Sequence, residues 1–173
     1  MNNYLYVISN YLSCVKYDDT LSCYEILLLG PNSLDKTSFL KNISFNDNTL
    51  YQNSIMEPYD IDYSKYQFTF WHTNSNTSFN SVIFNYFRNR PPDLCLVIVN
   101  NYTSPSEFER YNCIANELCK VSNSSKLVII NTKLRGFDYS TMEGYCIRRN
   151  ILNIKLDITE DYMIVLDTIV ALL

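Results

Sequence analysis

The chain has 173 residues, of which 47% are hydrophobic and 18% charged, and a formal net charge of −4. That balance excludes a disordered chain and supplies enough apolar surface for one domain with its own core. It also argues against a nucleic-acid groove or an anionic membrane surface, since both need clustered Lys and Arg and no basic run occurs.

Residues 1–23 read as an N-terminal extension in which Tyr4-Leu5-Tyr6-Val7-Ile8 is a candidate added strand. Ile26 to Leu29 is fully apolar and closed by Gly30, the pattern of a strand covered on both faces. A helix is expected from Lys36, with Phe39, Leu40 and Ile43 on its apolar side. Asn46 to Asp60 is polar, contains Pro58 and reads as loop. Tyr66 to Trp71 predicts a strand, Asn74 to Asn80 a loop, and Ser81 to Arg88 a short helix stopped by Pro91-Pro92. Leu94 to Val99 is the strongest strand signal in the chain. Ser104-Pro105-Ser106-Glu107 then forms a capping box with proline at the first helical position. Phe108, Tyr111, Ala115, Leu118 and Cys119 follow at helical spacing. Lys126 to Ile130 is a further strand, and Ser140 to about Arg149 a helix with a second capping-box pattern. Ile151 to Leu156 is a last strand. The final helix is capped at Thr159-Glu160-Asp161, with Ile164, Val165, Ile169, Val170 and Leu173 inward.

Six cysteines are present, with a single histidine, and none of the cysteines forms a C-x-x-C pair. Reduced cysteines serving as small core side chains are expected rather than a zinc site. The start lacks the basic region of a signal peptide, no apolar run reaches the ~18 residues of a membrane span, and the C-terminus carries no prenylation box. An intracellular, cytoplasmic protein without a membrane anchor is expected, with the nucleus left open.

Gly30-Pro31-Asn32-Ser33-Leu34-Asp35-Lys36-Thr37 has the spacing of a phosphate-binding loop, Gly, four residues, then Gly-Lys-Ser/Thr, with Asp35 at the second glycine. In such a loop the glycine turns the chain out of the strand, the lysine neutralises phosphate, and the hydroxyl ligates magnesium. Asp35 places a carboxylate where a polyanion would lie. Two unit charges ~4 Å apart repel by about 4 kcal/mol at an effective dielectric of ~20, roughly three orders of magnitude in affinity. Only three glycines occur, against about a dozen at average usage, so the close backbone approach that nucleotide loops need is scarce.

From residue 24 to 173 the order of loop, strands and helices resembles the Ras-like small GTPase domain. That resemblance implies an α/β fold of three layers, with a mainly parallel central sheet and helices on both faces. It places the family's Asp-x-x-Gly motif on His72-Thr73-Asn74-Ser75, so His72 replaces the magnesium-holding Asp and Ser75 the phosphate-sensing Gly. Asn76 stands where a water-orienting glutamine would follow. The Asn-Lys-x-Asp motif falls on Asn131-Thr132-Lys133-Leu134; Asn131 matches, but Leu134 cannot accept the hydrogen bonds that guanine offers. The Ser-Ala-Lys motif is unrecognisable around Leu156 to Thr159, and Thr49 is a weakly aligned switch threonine.

The implied function is that of a degenerate, non-catalytic pseudo-GTPase. It would bind protein partners, as pseudo-GTPases of kinetochore and adaptor-handling assemblies do, and need no cofactor. Tyr51, Tyr59, Tyr63 and Tyr66 are candidate interface aromatics. The alternative is a divergent switch that binds GTP or GDP with magnesium through Gly30, Lys36, Thr37 and Asn131. A third reading, an unrelated nucleotide kinase, would need Arg88, Arg90, Arg148 or Arg149 as a phosphate clamp.

Overall fold

The computed structural model describes residues 21–31, 33–44, 54–100, 103–121, 126–132, 140–149, 152–156 and 162–173. In chain order the elements are β1 (Ser22–Leu29), α1 (Ser33–Ile43), β2 (Met56–Tyr63), β3 (Tyr66–Thr73), α2 (Asn80–Phe87), β4 (Leu94–Val99), α3 (Pro105–Val121), β5 (Lys126–Thr132), α4 (Ser140–Arg149), β6 (Leu152–Leu156) and α5 (Tyr162–Leu172). A single 3-10 turn, Thr77–Phe79, leads into α2. The expected N-terminal strand, the switch threonine Thr49 and the cap at Thr159 to Asp161 lie outside the described residues, as do Tyr51 and Leu134.

The strands form a six-stranded sheet in the order β2-β3-β1-β4-β5-β6. The sheet is of mixed orientation, which corrects the expectation of a three-layer, mainly parallel Ras-like sheet. β2 pairs antiparallel with β3 along its whole length, from Met56 opposite Thr73 to Tyr63 opposite Tyr66. The remaining neighbours run parallel. The cause is the connection: Ser64 and Lys65 alone join β2 to β3, and a parallel crossover needs a dozen residues or more. Ser64 takes φ 56° to make the turn. Sequence pattern concealed β2 because Met56–Tyr63 holds a proline and three carboxylates, which read as loop.

Alternation along the strands divides the core in two. On one face Ile26, Leu28, Phe68, Phe70, Leu96 and Ile98 pack against Phe39, Leu40 and Ile43 of α1 and Val165, Leu166 and Ile169 of α5. On the other, Leu27, Leu29, Trp71, Cys95, Val97 and Val99 pack against α2, α3 and Cys146 of α4. β1 and β4 are therefore apolar on both sides, and each such side chain contributes about 1.5–3 kcal/mol on burial. Ile164 was expected inward but is 54% exposed, and Leu166 takes the buried place on α5. Of the candidate interface aromatics, Tyr59, Tyr63 and Tyr66 are strand residues half-buried against the core. Among the described residues no helix is long and apolar enough to cross a membrane.

Candidate functional site

The carboxyl ends of β1, β3 and β4 converge on one spot. The chain leaves β1 for α1 on one face and leaves β3 and β4 for α2 and α3 on the other. Open α/β sheets place ligands at such a topological switch point, where neighbouring strands send their connections to opposite faces. Gly30, Asp35, Lys36, Thr37, His72 and Ser75 all come together here.

Gly30 is fixed by packing. It has φ +148°, and a Cβ built there would lie 2.3 Å from the Ile98 carbonyl oxygen on β4. Only glycine lets β1 turn this close to its neighbour. The helix that follows begins at Ser33, three positions earlier than the sequence suggested, so only residues 30–32 separate strand from helix. Pro31 is one of them and has no N–H to offer an anion. Few backbone donors are left at this turn to face an anion.

Lys36 lies in the first part of α1 and is fully buried, with 0% exposure. Its Nζ donates to the Gly30 carbonyl oxygen at 2.6 Å and to Ser75 Oγ at 2.8 Å. Ser75 Oγ in turn donates to the same Gly30 carbonyl at 3.3 Å, and the Ser75 carbonyl accepts from the Tyr111 hydroxyl of α3 at 2.8 Å. Desolvation lowers the Lys36 pKa from 10.5 to about 7, with the Asp35 charge opposing the fall. The ammonium is thus turned back onto its own loop.

The neighbouring groups are engaged as well. Asp35 accepts a hydrogen bond from Asn100 Nδ2 at 2.6 Å, so its carboxylate ties α1 to the end of β4. Asn100 is held by a local turn in which its N–H donates to Thr103 Oγ1 at 3.0 Å. Thr37 Oγ1 lies 3.4 Å from Nε2 of the buried His72, the donor being set by the tautomer. Thr73, beside His72, is buried and donates to the Leu28 carbonyl at 2.6 Å. Chemically, this is a set of donors and acceptors that satisfy one another across three strand ends and two helices.

Other expected residues lie apart. Asn76 caps the turn before α2, accepting from the Ser78 N–H at 3.0 Å while its own N–H donates to Asn74 Oδ1 at 2.9 Å. The backbone of Asn131 is at the end of β5, in register with Val99 and Lys155, which places that position along the same rim. Arg90 forms an ion pair with Glu25 at 2.7 Å, beside the start of β4 and at the opposite end of the sheet from Lys36. Arg88 and Arg148 are exposed, so these arginines form no clamp around the loop. Among the described residues no group of three or more His, Cys, Asp or Glu could hold a metal ion.

Sequence reasoning missed Asn100, Tyr111 and Thr73. Asn100 carried a weak signal, a polar residue directly after a six-residue apolar strand. Tyr111 looked like one more residue of a core stripe, and nothing in its spacing pointed to the Ser75 carbonyl. When the chain is compared with known protein-family models and with curated proteins, no family model and no curated protein matches it.

Proposed function

We propose that this protein is a pseudo-GTPase, related to the small GTPases through its loop, that works as a non-catalytic protein-interaction module with little or no GTP binding. It acts inside the cell, in the cytoplasm, as a subunit that binds other proteins.

The observation that carries this reading is the position of Lys36. A loop lysine that serves phosphate must present its ammonium to the ligand. Here it is buried and donates to Gly30 and Ser75, two groups of its own chain. Moving it to a nucleotide would break both bonds and leave the Gly30 carbonyl only the longer bond from Ser75 Oγ at 3.3 Å. The remaining donors fit magnesium phosphate no better. Magnesium selects hard oxygen ligands in octahedral geometry, and the Thr37 hydroxyl faces an imidazole where the family has a carboxylate. Asp35 adds a negative charge beside the would-be phosphate, and its hydrogen bond from Asn100 holds it there. The partner is a protein because the net negative, patch-poor charge gives nucleic acid no footing.

The test is direct. Purified protein is denatured and its supernatant chromatographed for released nucleotide; folded protein is then titrated with a fluorescent GTP analogue in magnesium. No released nucleotide and no saturable binding are expected. Co-purified GDP, or submicromolar binding abolished by Lys36→Met, would establish instead a divergent switch holding GTP or GDP and magnesium.

A further inference from the structure

The register of the β2–β3 hairpin decides which of its side chains share a face with α2. Pro58 stands opposite Trp71 and Met56 opposite Thr73, while Asp60 and Asp62 follow on the same side, opposite Thr69 and Gln67. Trp71 packs beneath α2, its ring centroid 5.2 Å from that of Tyr86 and 5.8 Å from that of Phe87. Met56 packs against the same core cluster. α2 is only eight residues long and β2 is the outermost strand, so the sheet continues past the helix as a shelf.

This surface has an apolar half and an acidic half. Val82 and Tyr86 lie one turn apart on α2 and are 47% and 46% exposed, and Met56 and Pro58 are half-buried. Exposed apolar side chains rimmed by polar ones mark a contact surface. Asp60 and Asp62 are exposed, and each is oriented by its cross-strand neighbour. Thr69 Oγ1 donates to Asp60 Oδ1 at 2.6 Å, and Gln67 Nε2 donates to Asp62 Oδ1 at 3.3 Å. Among the described residues neither aspartate forms an ion pair, and Arg90, just beyond α2, is taken up by Glu25 at 2.7 Å. Two oriented carboxylates beside an apolar surface call for a ligand that brings apolar side chains and positive charge together.

We propose that this face of α2, β2 and β3 is the docking surface for a partner protein, and that its occupant is an amphipathic helix with an apolar stripe and Lys or Arg at one end. The stripe covers Val82, Tyr86, Met56 and Pro58, and the cationic end reaches Asp60 and Asp62. Helices that dock in this way present their anchors at i, i+3 and i+4 spacing. Addition of a strand along the outer edge of β2 is the poorer fit, because Pro58 has no N–H to give it. A two-fold pairing of this surface with itself would set the same carboxylates against each other. The assignment rests on the reading of the protein as an interaction module, and not on the state of the loop around Lys36.

Folded, full-length protein is used to select binders from a phage-displayed library of random peptides. The selected peptides are synthesised and titrated by fluorescence anisotropy against the unaltered protein, Val82→Lys, and the double variant Asp60→Asn with Asp62→Asn. Peptides are expected that join apolar residues at helical spacing to a Lys or Arg end and become helical on binding, by circular dichroism. Each variant should weaken them about tenfold or more, and the loss in the double variant should shrink at high salt. The proposal is overturned if no peptide is recovered, if the peptides bind both variants as well as the unaltered protein, or if they bind without becoming helical. All three substituted side chains are exposed; should one variant not fold, the other decides. Nucleotide release, measured separately, keeps the two readings apart. Bound GDP in a protein whose peptides still need Val82 and Asp60 would remove the pseudo-GTPase reading and leave this surface. An empty loop with peptides indifferent to both variants would do the reverse.

Discussion

Two helices in this protein start just beyond an apolar strand, and they are anchored by opposite means. α3 follows β4 and carries its anchor in its own first residues. The Ser104 N–H and hydroxyl donate to Glu107 Oε2 at 3.0 and 2.7 Å, and the Glu107 N–H donates back to Ser104 Oγ at 3.3 Å. α1 follows β1 and is anchored from far away in sequence: Asp35 by Asn100, Thr37 by His72, and Lys36 by Ser75. A local cap needs only the right residues at the right spacing. A distant anchor needs the sheet to be built first. The lesson is that an element's start can be legible in sequence only when its partners lie within a turn of it.

The hardest test of the distant anchor is Gly30→Ala. The new Cβ would meet the Ile98 carbonyl at 2.3 Å in a backbone conformation that L residues avoid. A loss of roughly 3–5 kcal/mol in urea denaturation is expected from strain and overpacking together. A loss below about 1 kcal/mol would mean the strand end relaxes freely and the comparison has no force.

Lys36→Met comes next, read through pH. Burial puts the folded pKa of Lys36 near 7, below its unfolded value of 10.5. Between those two values the unfolded chain holds more protons, so stability rises as pH climbs through that window, and below it the burial cost is fully present. The gain is at most about 5 kcal/mol. Other groups titrate there too, so the readout is the difference in slope between the two proteins. The variant should lack the lysine's share and be no less stable at neutral pH, since a buried cation can be replaced by an apolar chain of similar volume. Equal slopes would refute the burial.

Asn100→Ala removes the donor to Asp35 and should cost about 1–2 kcal/mol, measured by thermal denaturation. Ser104→Ala should cost about 1 kcal/mol, with the loss confined to α3 as followed by amide hydrogen exchange. The smallest effect concerns Glu107, whose hydrogen bonds from Ser104 hold its pKa below 4.5. Its support of the cap is present above that value and fades as pH falls through the lowered one. Because the carboxylate is solvent-exposed, solvent and salt screen it, and Glu107→Gln should flatten a shallow acid limb in hydrogen exchange of α3.

Particular residues show how much could be read in advance. Leu94 to Val99 was located to the residue because a six-residue run with every side chain buried has no other reading at that length. The start of α3 was equally plain. β2 was not, because a strand on the rim of a sheet tolerates proline and carboxylates that a central strand would reject. Within the site, the spacing of Gly30, Lys36 and Thr37 and the substitutions at Asp35, His72 and Ser75 were all visible. The bonds from Lys36 to Ser75, Thr37 to His72 and Asp35 to Asn100 were not, since those partners lie 35 to 65 positions apart.

The sequence by itself determined which segments are apolar on both sides, where α3 begins, and that the phosphate-loop pattern carries a carboxylate in place of a glycine. Those are local facts of side-chain chemistry and period. The tertiary structure alone decided that β2 runs against its neighbour, that Lys36 faces inward, and that Asp35 meets Asn100. Each of these depends on which strand lies beside which. A two-residue connection, a glycine pressed against a neighbouring carbonyl and a helix laid across a strand fix distances that no spacing along the chain encodes.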